Sequence, residues 1–318
     1  MAETRGAPGR ARILSTSHGA NRLAFTPADW VRFLSVALIW GSSFLLIAES
    51  LEAFEPGLVT WARVSLGAAV LWLFPGARAR IAREDMPRVI AVSVLWVAIP
   101  FTLFPLAQQH VSSAVAGMLN GGVPLVAATI GAVMLRTLPG RAQLVGLALG
   151  FAGIVLIALP EFGQDTSGAL GVAMIFVAVL CYGLSLVIAT PAHQRYGALP
   201  VTARMLGIAA VLTAPFGIAS IPGSSFSWSA FAASAVLGML GTGLAFVIMG
   251  SLAASVGSMR ASFVTYLIPV VATFLGIVVR HEDVAAAAIA GVALVIAGAV
   301  LASRRERMAD GARAGPST

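Results

Sequence analysis

The chain has 318 residues, of which 58% are hydrophobic and 10% are charged, and its formal net charge is +7. Soluble globular chains carry about 25% charged residues, so this composition excludes a water-soluble protein with a polar coat and indicates that lipid surrounds most of the fold. The basic residues lie in short runs between apolar stretches, which argues against a nucleic-acid-binding surface, and the single cysteine, Cys181, excludes a disulfide framework.

The chain begins with a polar segment, residues 1–30, that holds several arginines among Ser, Gly and Pro. No short apolar core followed by a cleavage site occurs in it, so we expect a disordered cytoplasmic tail and not a signal peptide. Residues 304–318 have a similar composition. They predict a second cytoplasmic tail.

Ten apolar stretches of about 20 residues follow one another between these tails. A helix of about 20 residues, rising 1.5 Å per residue, crosses the roughly 30 Å of bilayer hydrocarbon. The sequence therefore predicts an all-α membrane protein of ten transmembrane helices. The stretches are 31–48, 56–74, 89–108, 112–135, 142–160, 168–190, 199–219, 230–252, 257–279 and 284–303.

The positions of the arginines predict the orientation of these helices. If the N-terminus is inside, sixteen of the twenty basic residues fall on the cytoplasmic side, and only Arg280 falls in an outer loop. Positively charged residues are retained inside during insertion. We therefore expect a multi-pass protein of the cell (plasma) membrane with both termini cytoplasmic.

An internal repeat is the most specific signal in the chain. Several landmark residues recur at a constant separation of 145 positions, which is the mark of a duplicated unit. The pairs are Pro124 with Pro269, Gly146 with Gly291, and Gly153 with Gly298. Residues 31–160 and 168–303 then form two five-helix repeats. Because five is odd, the second repeat enters the membrane inverted, an arrangement typical of transporters whose substrate site lies between the halves.

Several short motifs carry a resemblance to a known family. They are Leu38 to Ser43, Arg63, Asn120 to Pro124, Gly146 and Gly153 in the first half, and Arg204, Tyr266 to Pro269, Arg280 to Asp283, Gly291 and Gly298 in the second. On these residues the chain resembles the drug/metabolite transporter superfamily, specifically tandem EamA-type domains. The resemblance implies export or exchange of small metabolites, amino acids or drugs.

Two acidic positions of that family pattern are missing here. Members of the family often carry a Glu just before the fifth helix of each repeat. Glu282 fits this pattern, but its repeat partner is Thr137. Many members also place a Glu before the proline of the ninth helix, where this chain has Ile268. A mechanism based on those carboxylates is therefore not expected.

Two arginines, Arg63 and Arg204, lie inside predicted spans, where a charge costs roughly 2.5–3.5 kcal/mol. Arg204 is close to a helix start, so its side chain can reach the interface. Arg63 lies deeper, and Glu49, Glu52 or Glu55 can pair with it. The alternative for both arginines is that they bind an anionic group of a substrate.

Asn120 precedes Gly121, Gly122 and Pro124, which loosen a helix and free backbone carbonyls. This pattern predicts either a broken helix that lines a cavity or a kink filled by packing. Other aromatic and hydroxyl side chains in the spans can line a substrate pocket. The predicted substrate-binding residues are Trp40, Ser43, Arg63, Asn120, Tyr182, Arg204, Thr265 and Tyr266.

No feature of the sequence predicts an enzyme, a metal site or a cofactor. His281, Glu282 and Asp283 are adjacent, so their side chains point apart, and we expect no metal there. No nucleophile lies in the spans with a plausible base. None of the 13 acidic residues is central in a span, and His193 falls at a helix end, so we expect little response of transport to a pH difference.

These features together predict a secondary transporter of a small metabolite, such as an amino acid, working by export or exchange. Its cavity is expected between helices one to four and six to nine, with the lipid bilayer and a small-molecule substrate as partners and no nucleic acid. A multidrug efflux transporter and a non-transporting membrane receptor or scaffold are the alternatives. Efflux of cationic drugs usually needs an acid in the cavity, which favours the metabolite.

Overall fold

The structure, a computed structural model, describes residues 26–134, 141–162 and 166–303. All regular elements within these ranges are helical. The helices are numbered α1 to α10 in chain order: α1 (Pro27–Leu51), α2 (Pro56–Trp72), α3 (86–107), α4 (113–134), α5 (Arg141–Phe162), α6 (Thr166–Tyr196), α7 (Ala198–Ala219), α8 (Trp228–Val256), α9 (258–280) and α10 (Ala286–Ser303). Short 3₁₀ turns at Pro75–Arg78 and Arg83–Asp85 connect α2 to α3.

Six of these helices are long and apolar enough to cross a membrane, and three shorter apolar stretches accompany them in the described part of the chain. Together with the all-helical architecture, this makes the chain a multi-pass membrane protein. Within the residues described, helical segments occupy each predicted apolar stretch. The predicted tails lie outside those residues, apart from positions 26–30.

Helix α1 begins at Pro27, four residues before the predicted stretch. The side chain of Thr26 accepts a hydrogen bond from the Asp29 amide, and the Asp29 carboxylate accepts one from the Thr26 amide. This reciprocal capping satisfies two donors that a helix start leaves unpaired, and proline is favoured in the first turn. Hydropathy alone does not detect the polar first turn, which explains the difference.

Four of the helices are interrupted where the chain passes the centre of the molecule. Helix α3 consists of Met86–Val92, the π-helical Ser93–Ala98 and Ile99–Ala107, and helix α4 consists of Ser113–Asn120 and Val123–Met134. Helix α8 consists of Trp228–Val236, the π-helical Leu237–Leu244 and Ala245–Val256. Helix α9 consists of Ser258–Ser262, the 3₁₀ Phe263–Tyr266 and Ile268–Arg280. The interruptions in α3 and α8, and those in α4 and α9, recur at nearly the separation of the repeated prolines. Such interruptions cluster at functional sites.

The interrupted helices α4 and α9 pack closely because small residues face each other. A Cβ atom at Gly121 would lie 2.7 Å from Cγ of Pro269, and one at Gly117 would collide with the Ala272 side chain. Only glycine permits this approach, which brings the break in α4 beside the proline of α9. The two irregular segments therefore meet in the interior of the molecule.

Helices α5 and α10 pair with each other along their length. A Cβ at Gly153 would lie 2.6 Å from the carbonyl oxygen of Gly291, and one at Gly298 would meet the backbone of Gly146 and Gly150. Small residues at helix spacing permit such contact between backbones in membranes. This pair does not line the cavity described below. The expected cavity, between helices one to four and six to nine, likewise leaves these two helices out.

Ion pairs lie at the two opposite ends of the helices. At one end the Arg280 guanidinium bonds Glu49 at 2.6 Å and Glu52 at 2.7 Å, and we call this group with Glu282 the Arg280 cluster. At the other end Asp85 accepts hydrogen bonds from Arg195 at 2.7 Å and from Tyr196 at 2.5 Å, a group we call the Asp85 cluster.

Glu282 has a further role at the first of these ends. Its carboxylate accepts hydrogen bonds from the Ser113 hydroxyl at 2.6 Å and from the amides of Ser113 and Ala114 at 3.1 and 2.9 Å. A carboxylate at a helix start also interacts favourably with the helix dipole. Glu282 thus ties the end of α9 to the start of α4, while Thr137 lies outside the described residues.

Candidate functional site

A cavity of about 60 Å³ lies where the interrupted helices meet. A single water needs about 10–15 Å³, so the space is larger than one water requires. Seven helices contribute to its wall: α1 to α4, α6, α8 and α9. The lining residues are Trp40, Ser43, Phe44, Ile47, Arg63, Trp96, Phe101, Phe104, Asn120, Val123, Tyr182, Leu186, Phe246, Met249, Thr265 and Ile268.

Six of the eight predicted site residues lie around this one cavity, although they are far apart in the sequence. They are Trp40, Ser43, Arg63, Asn120, Tyr182 and Thr265. The other two, Arg204 and Tyr266, lie elsewhere. The structure thus brings residues from both halves of the chain to one place, which is what a site between repeats requires.

Arg63 supplies the positive charge of the cavity. It projects from the middle of α2, and only 4% of the residue is exposed. Its Nε–H donates a hydrogen bond to the Thr242 hydroxyl oxygen at 3.3 Å, and its guanidinium carbon lies 3.6 Å from the centre of the Phe101 ring. A cation over an aromatic face gains roughly 0.5–2 kcal/mol.

No carboxylate within the described ranges forms an ion pair with Arg63. The sequence offered Glu49, Glu52 or Glu55 as partners, but Glu49 and Glu52 bind Arg280 instead. The amide of Glu55 donates to Ser224, which belongs to the loop before α8. The buried guanidinium therefore keeps its charge without a fixed counter-ion in this part of the chain.

The π-helical segment of α8 holds two of the cavity residues in position. The Thr242 hydroxyl donates to the carbonyl of Leu237, five residues earlier, at 3.0 Å. A threonine oxygen that donates in this way still has a lone pair for Arg63. The neighbouring carbonyl of Gly241 accepts a hydrogen bond from Trp40 Nε1 at 3.1 Å. The irregular helix thus orients the guanidinium and the indole from the other half of the chain.

Asn120 lies at the end of the first segment of α4, next to the break at Gly121 and Gly122. The residue is 4% exposed, and its Oδ1 has no hydrogen-bond partner among the described residues. An unpaired buried polar atom costs roughly 1–3 kcal/mol. This atom therefore provides an unused acceptor at the wall of the cavity, and the broken-helix alternative is the one that the structure shows.

Aromatic rings form most of the remaining wall. Phe246 packs edge to face against Trp40 at 5.3 Å and also contacts Trp96 at 5.3 Å between ring centres. Phe104 contacts the ring of Phe44 at 5.3 Å and stacks on that of Tyr182 at 5.8 Å. A mostly apolar wall with a few polar groups is typical of sites for small organic molecules.

Arg204 is partly buried and lies apart from the cavity, in contact with the turn that follows α2. Its guanidinium donates to the carbonyl oxygens of Ala77 at 2.9 Å and Pro200 at 3.2 Å, and it lies 5.9 Å from the centre of the Trp72 ring. These contacts fit the interface alternative for this arginine. Arg204 does not line the cavity that six of the predicted residues surround. Its part in substrate binding stays a prediction.

Tyr266 belongs to the 3₁₀ turn of α9 but faces away from the cavity. Its ring stacks on Phe263 at 5.4 Å, and it forms a small apolar cluster with Leu125. Its neighbour Thr265 does line the cavity and donates to the carbonyl of Ser262 at 2.7 Å. Successive side chains on a tight turn point in different directions, which separates the two.

The sequence did not predict the apolar members of the wall or Thr242. Phe101 contacts the Arg63 guanidinium, and Phe246 contacts the Trp40 indole. Both are apolar residues in apolar helices, so nothing in the sequence distinguishes them from their neighbours. Thr242 stands in a Gly-rich segment, Gly241 to Gly243, and this local richness in glycine is the signal that marks it. Within the described residues no group of three or more potential metal ligands occurs.

Comparison with known proteins identifies relatives along nearly the whole chain. The model of the EamA-like transporter family matches residues 31–159 and 169–304. An "Uncharacterized transporter" of Archaeoglobus fulgidus is 21% identical over 87% of this chain and 99% of its own length. A solved crystal structure superposes with a TM-score of 0.65 at 20% identity and covers 87% of this chain and 97% of its own, which shows a shared fold.

Two relatives have names that state a cargo. A protein of Streptantibioticus cattleyicolor named "Probable terminal-alkyne amino-acid exporter" is 26% identical over 89% of this chain and 95% of its own length. The "S-adenosylmethionine/S-adenosylhomocysteine transporter" of Chlamydia muridarum is 31% identical, but over 46% of this chain and 47% of its own length. Both names describe those proteins and the small molecules that they carry.

Proposed function

Because the chain belongs to the EamA-like transporter family, we propose that it is a secondary transporter of a small metabolite with a carboxylate group, such as an amino acid. The family and its relatives make it a small-molecule transporter. The carboxylate specificity, the mode of transport and the substrate class are the proposal. They rest on the chemistry of the cavity described above.

The observation that carries the proposal is the buried Arg63. A guanidinium taken out of water without a counter-charge costs several kcal/mol, and Thr242 and Phe101 compensate for only part of this. Arginine binds carboxylates with two parallel hydrogen bonds. A substrate carboxylate therefore supplies the missing counter-charge, and its binding gains strength from the low dielectric of the cavity.

The other polar groups suit the second charge of an amino acid. The free Oδ1 of Asn120 can accept a hydrogen bond from an ammonium group, and aromatic faces attract cations. The rings of Trp40 and Phe246 offer surface for an apolar side chain. The lining residues within the described ranges include no carboxylate, so the cavity is less suited to a purely cationic drug.

For the membrane arrangement we propose ten transmembrane helices in two inverted five-helix repeats, residues 31–160 and 168–303. The recurring interruptions in α3 and α8, and in α4 and α9, support this arrangement. We further propose a plasma-membrane location with both termini in the cytoplasm, as the arginine distribution predicts, and transport by export or exchange. The relative named as an amino-acid exporter supports this direction.

Counterflow in proteoliposomes tests the proposal. Purified protein is reconstituted, the vesicles are loaded with one unlabelled compound, and uptake of the same labelled compound is followed. The panel comprises amino acids, their carboxamide derivatives, organic acids, sugars and cationic dyes. We expect counterflow with one or more carboxylates and none with the matching carboxamides.

Protein-free vesicles and vesicles with Arg63→Gln are the controls. Counterflow of a carboxamide as fast as that of its parent acid would contradict the proposed role of the guanidinium. Counterflow of the cationic dyes alone would favour multidrug efflux. Absence of counterflow across the panel, from protein that elutes as a single folded species, would favour a receptor or scaffold.

A further inference from the structure

His193 is the buried titratable side chain that the proposed binding site leaves unused. It lies on α6 on the same face as Tyr182 and Leu186, which line the cavity, because residues four and seven apart share a helix face. At 1.5 Å per residue it is about 10 Å further along α6 than Leu186. It thus lies between the cavity and the Asp85 cluster.

The surroundings of His193 are apolar and close-packed. The residue is 2% exposed, and neither ring nitrogen has a hydrogen-bond partner among the described residues. Its ring centre lies 6.2 Å from that of Trp96, which belongs to the cavity wall. A Cβ at Gly250 would lie 3.0 Å from Nε2, so glycine at this position in α8 leaves room for the imidazole.

If His193 serves only to fill space, the burial of its imidazole lowers the stability of the protein. A neutral imidazole has one donor and one acceptor nitrogen, and each buried unpaired group costs roughly 1–3 kcal/mol. A leucine or methionine would fill the same space without that cost. Packing alone therefore does not explain an imidazole at this position.

We propose that His193 is a proton-binding site of the transport cycle. When the Asp85 end opens, a proton from the aqueous phase adds to the lone pair of the free ring nitrogen, and no other bond in the protein changes. An imidazolium is costly in a dry site and stable in water, so protonation favours the open conformation and closing returns the proton. This inference rests on the proposed transport function, because it assumes alternating access.

No charged group in the described part of the chain serves as a counter-ion to His193. Helix α8 contains no titratable side chain, and the carboxylate of Asp85 is engaged by Arg195 and Tyr196. The titratable and charged groups on the elements packed around it are Arg83, Glu84, Asp85 and Arg88 from α3 and the turn before it, Cys181, Tyr182, Arg195 and Tyr196 on α6, Arg204 on α7, and Arg260 at the start of α9.

The sequence alone led to the opposite expectation about pH. His193 falls three residues before the end of α6, and a histidine at a helix end is expected in contact with water. The structure buries it behind Trp96 because α3, α6 and α8 converge there. The inference therefore replaces the predicted weak pH response with a conformational equilibrium that acid shifts toward opening at the Asp85 end.

Thiol labelling tests this inference without any transported compound. Ala189, which is 1% exposed and lies between Leu186 and His193, is replaced by cysteine in a Cys181→Ala background. The rate of maleimide labelling of Ala189→Cys is measured from pH 8.0 to pH 5.5 in nanodiscs. Dividing it by the rate for the exposed position in Ser225→Cys removes the pH dependence of the thiol itself.

We expect the normalised rate to rise at least about fivefold, the lower range of coupling between linked sites, as the pH falls. The rise should vanish in His193→Gln and persist in His110→Gln and His281→Gln. A flat profile in the parent protein, or an equal rise in His193→Gln, would overturn the proposal. Should this variant aggregate, ¹⁵N-histidine spectra of the parent protein decide, and a His193 ring that does not titrate between pH 5 and 8 refutes it.

These outcomes are separate from the fate of the proposed function. A protein that shows the labelling rise but no counterflow with any compound keeps His193 as a proton site and loses the transport proposal. A protein that shows counterflow but a flat labelling profile keeps the transport proposal and loses His193 as a proton site. The two experiments therefore fail independently.

Discussion

Arg63 and Arg204 occupy corresponding positions in the two halves of the chain, each directly after an alanine in the second helix of its half. Their surroundings differ. Arg63 is buried at the cavity beside Thr242 and Phe101, whereas the partly buried Arg204 donates to the backbone carbonyls of Ala77 and Pro200 away from the cavity. A repeated sequence can therefore place the same residue twice and give it two roles, because the neighbouring helices decide what each copy meets.

Replacing Arg63 should have the largest effect on this comparison. We expect Arg63→Gln to lower the affinity for the carboxylate found in the counterflow panel about 100-fold, because loss of a buried charge partner costs roughly 2–5 kcal/mol. Arg204→Gln is the matched control and should stay within about twofold of the parent protein. Equal losses in both variants would show that the two arginines share one role.

A second large effect is expected at the break in α4. Asn120→Leu removes the free Oδ1 and keeps the number and branching of the side-chain heavy atoms, so the protein should fold normally while counterflow falls about tenfold or more. Thr129→Val, on the same helix, removes a hydroxyl that bonds only its own helix at Leu125 and serves as the control. Normal counterflow with Asn120→Leu would remove this residue from the site.

Thr242 tests how Arg63 acquires its orientation. Thr242→Val removes the hydrogen bond to the guanidinium, worth about 1.5–3 kcal/mol for a charged group, so we expect about a tenfold or larger loss of affinity for the carboxylate. Thr242→Ser should restore it. Binding of a neutral analogue, measured by thermal shift, should change little in either variant. A loss that affects both ligands equally would indicate a packing role for Thr242.

The smallest effect is expected when the contacts of Arg204 are removed. Arg204→Met removes the hydrogen bonds to the loop before α3, and we expect the melting temperature to fall by a few degrees, in line with a loss of about 1 kcal/mol. Transport per folded molecule should be unaffected. Arg80→Met, in the exposed part of the same loop, should leave the melting temperature unchanged. A lower affinity in Arg204→Met would return this arginine to the list of binding residues.

The polar candidates of the site were predictable because they stand out against an apolar background. A charged or polar group in a membrane span costs free energy unless another group binds it. Trp40, Arg63 and Asn120 were predicted as site residues for this reason. The break in α4 was one of two alternatives that Gly121, Gly122 and Pro124 predicted, the other being a kink filled by packing. The positions of the helices followed from hydropathy, with differences of a few residues at ends such as Pro27.

The apolar wall could not be predicted in this way. In the sequence, Phe101 and Ile268 cannot be told from lipid-facing residues, because only the packing of the helices decides which residues of a helix face the cavity. The partners of Arg280 were equally open, since Glu49, Glu52 and Glu55 all lie close to the end of α1 and only the geometry selects two of them. The burial of His193 depends on three helices that are distant in sequence.

The contact between α5 and α10 has a consequence for how this chain can evolve. Gly153 and Gly291 touch through their backbones, and so do Gly150 and Gly298. A mutation to alanine in one helix would meet main-chain atoms of the other, which no change of rotamer can relieve. The two duplicated segments therefore cannot diverge independently along this seam. Variants with a larger residue there should survive only with a compensating shift in the opposite helix.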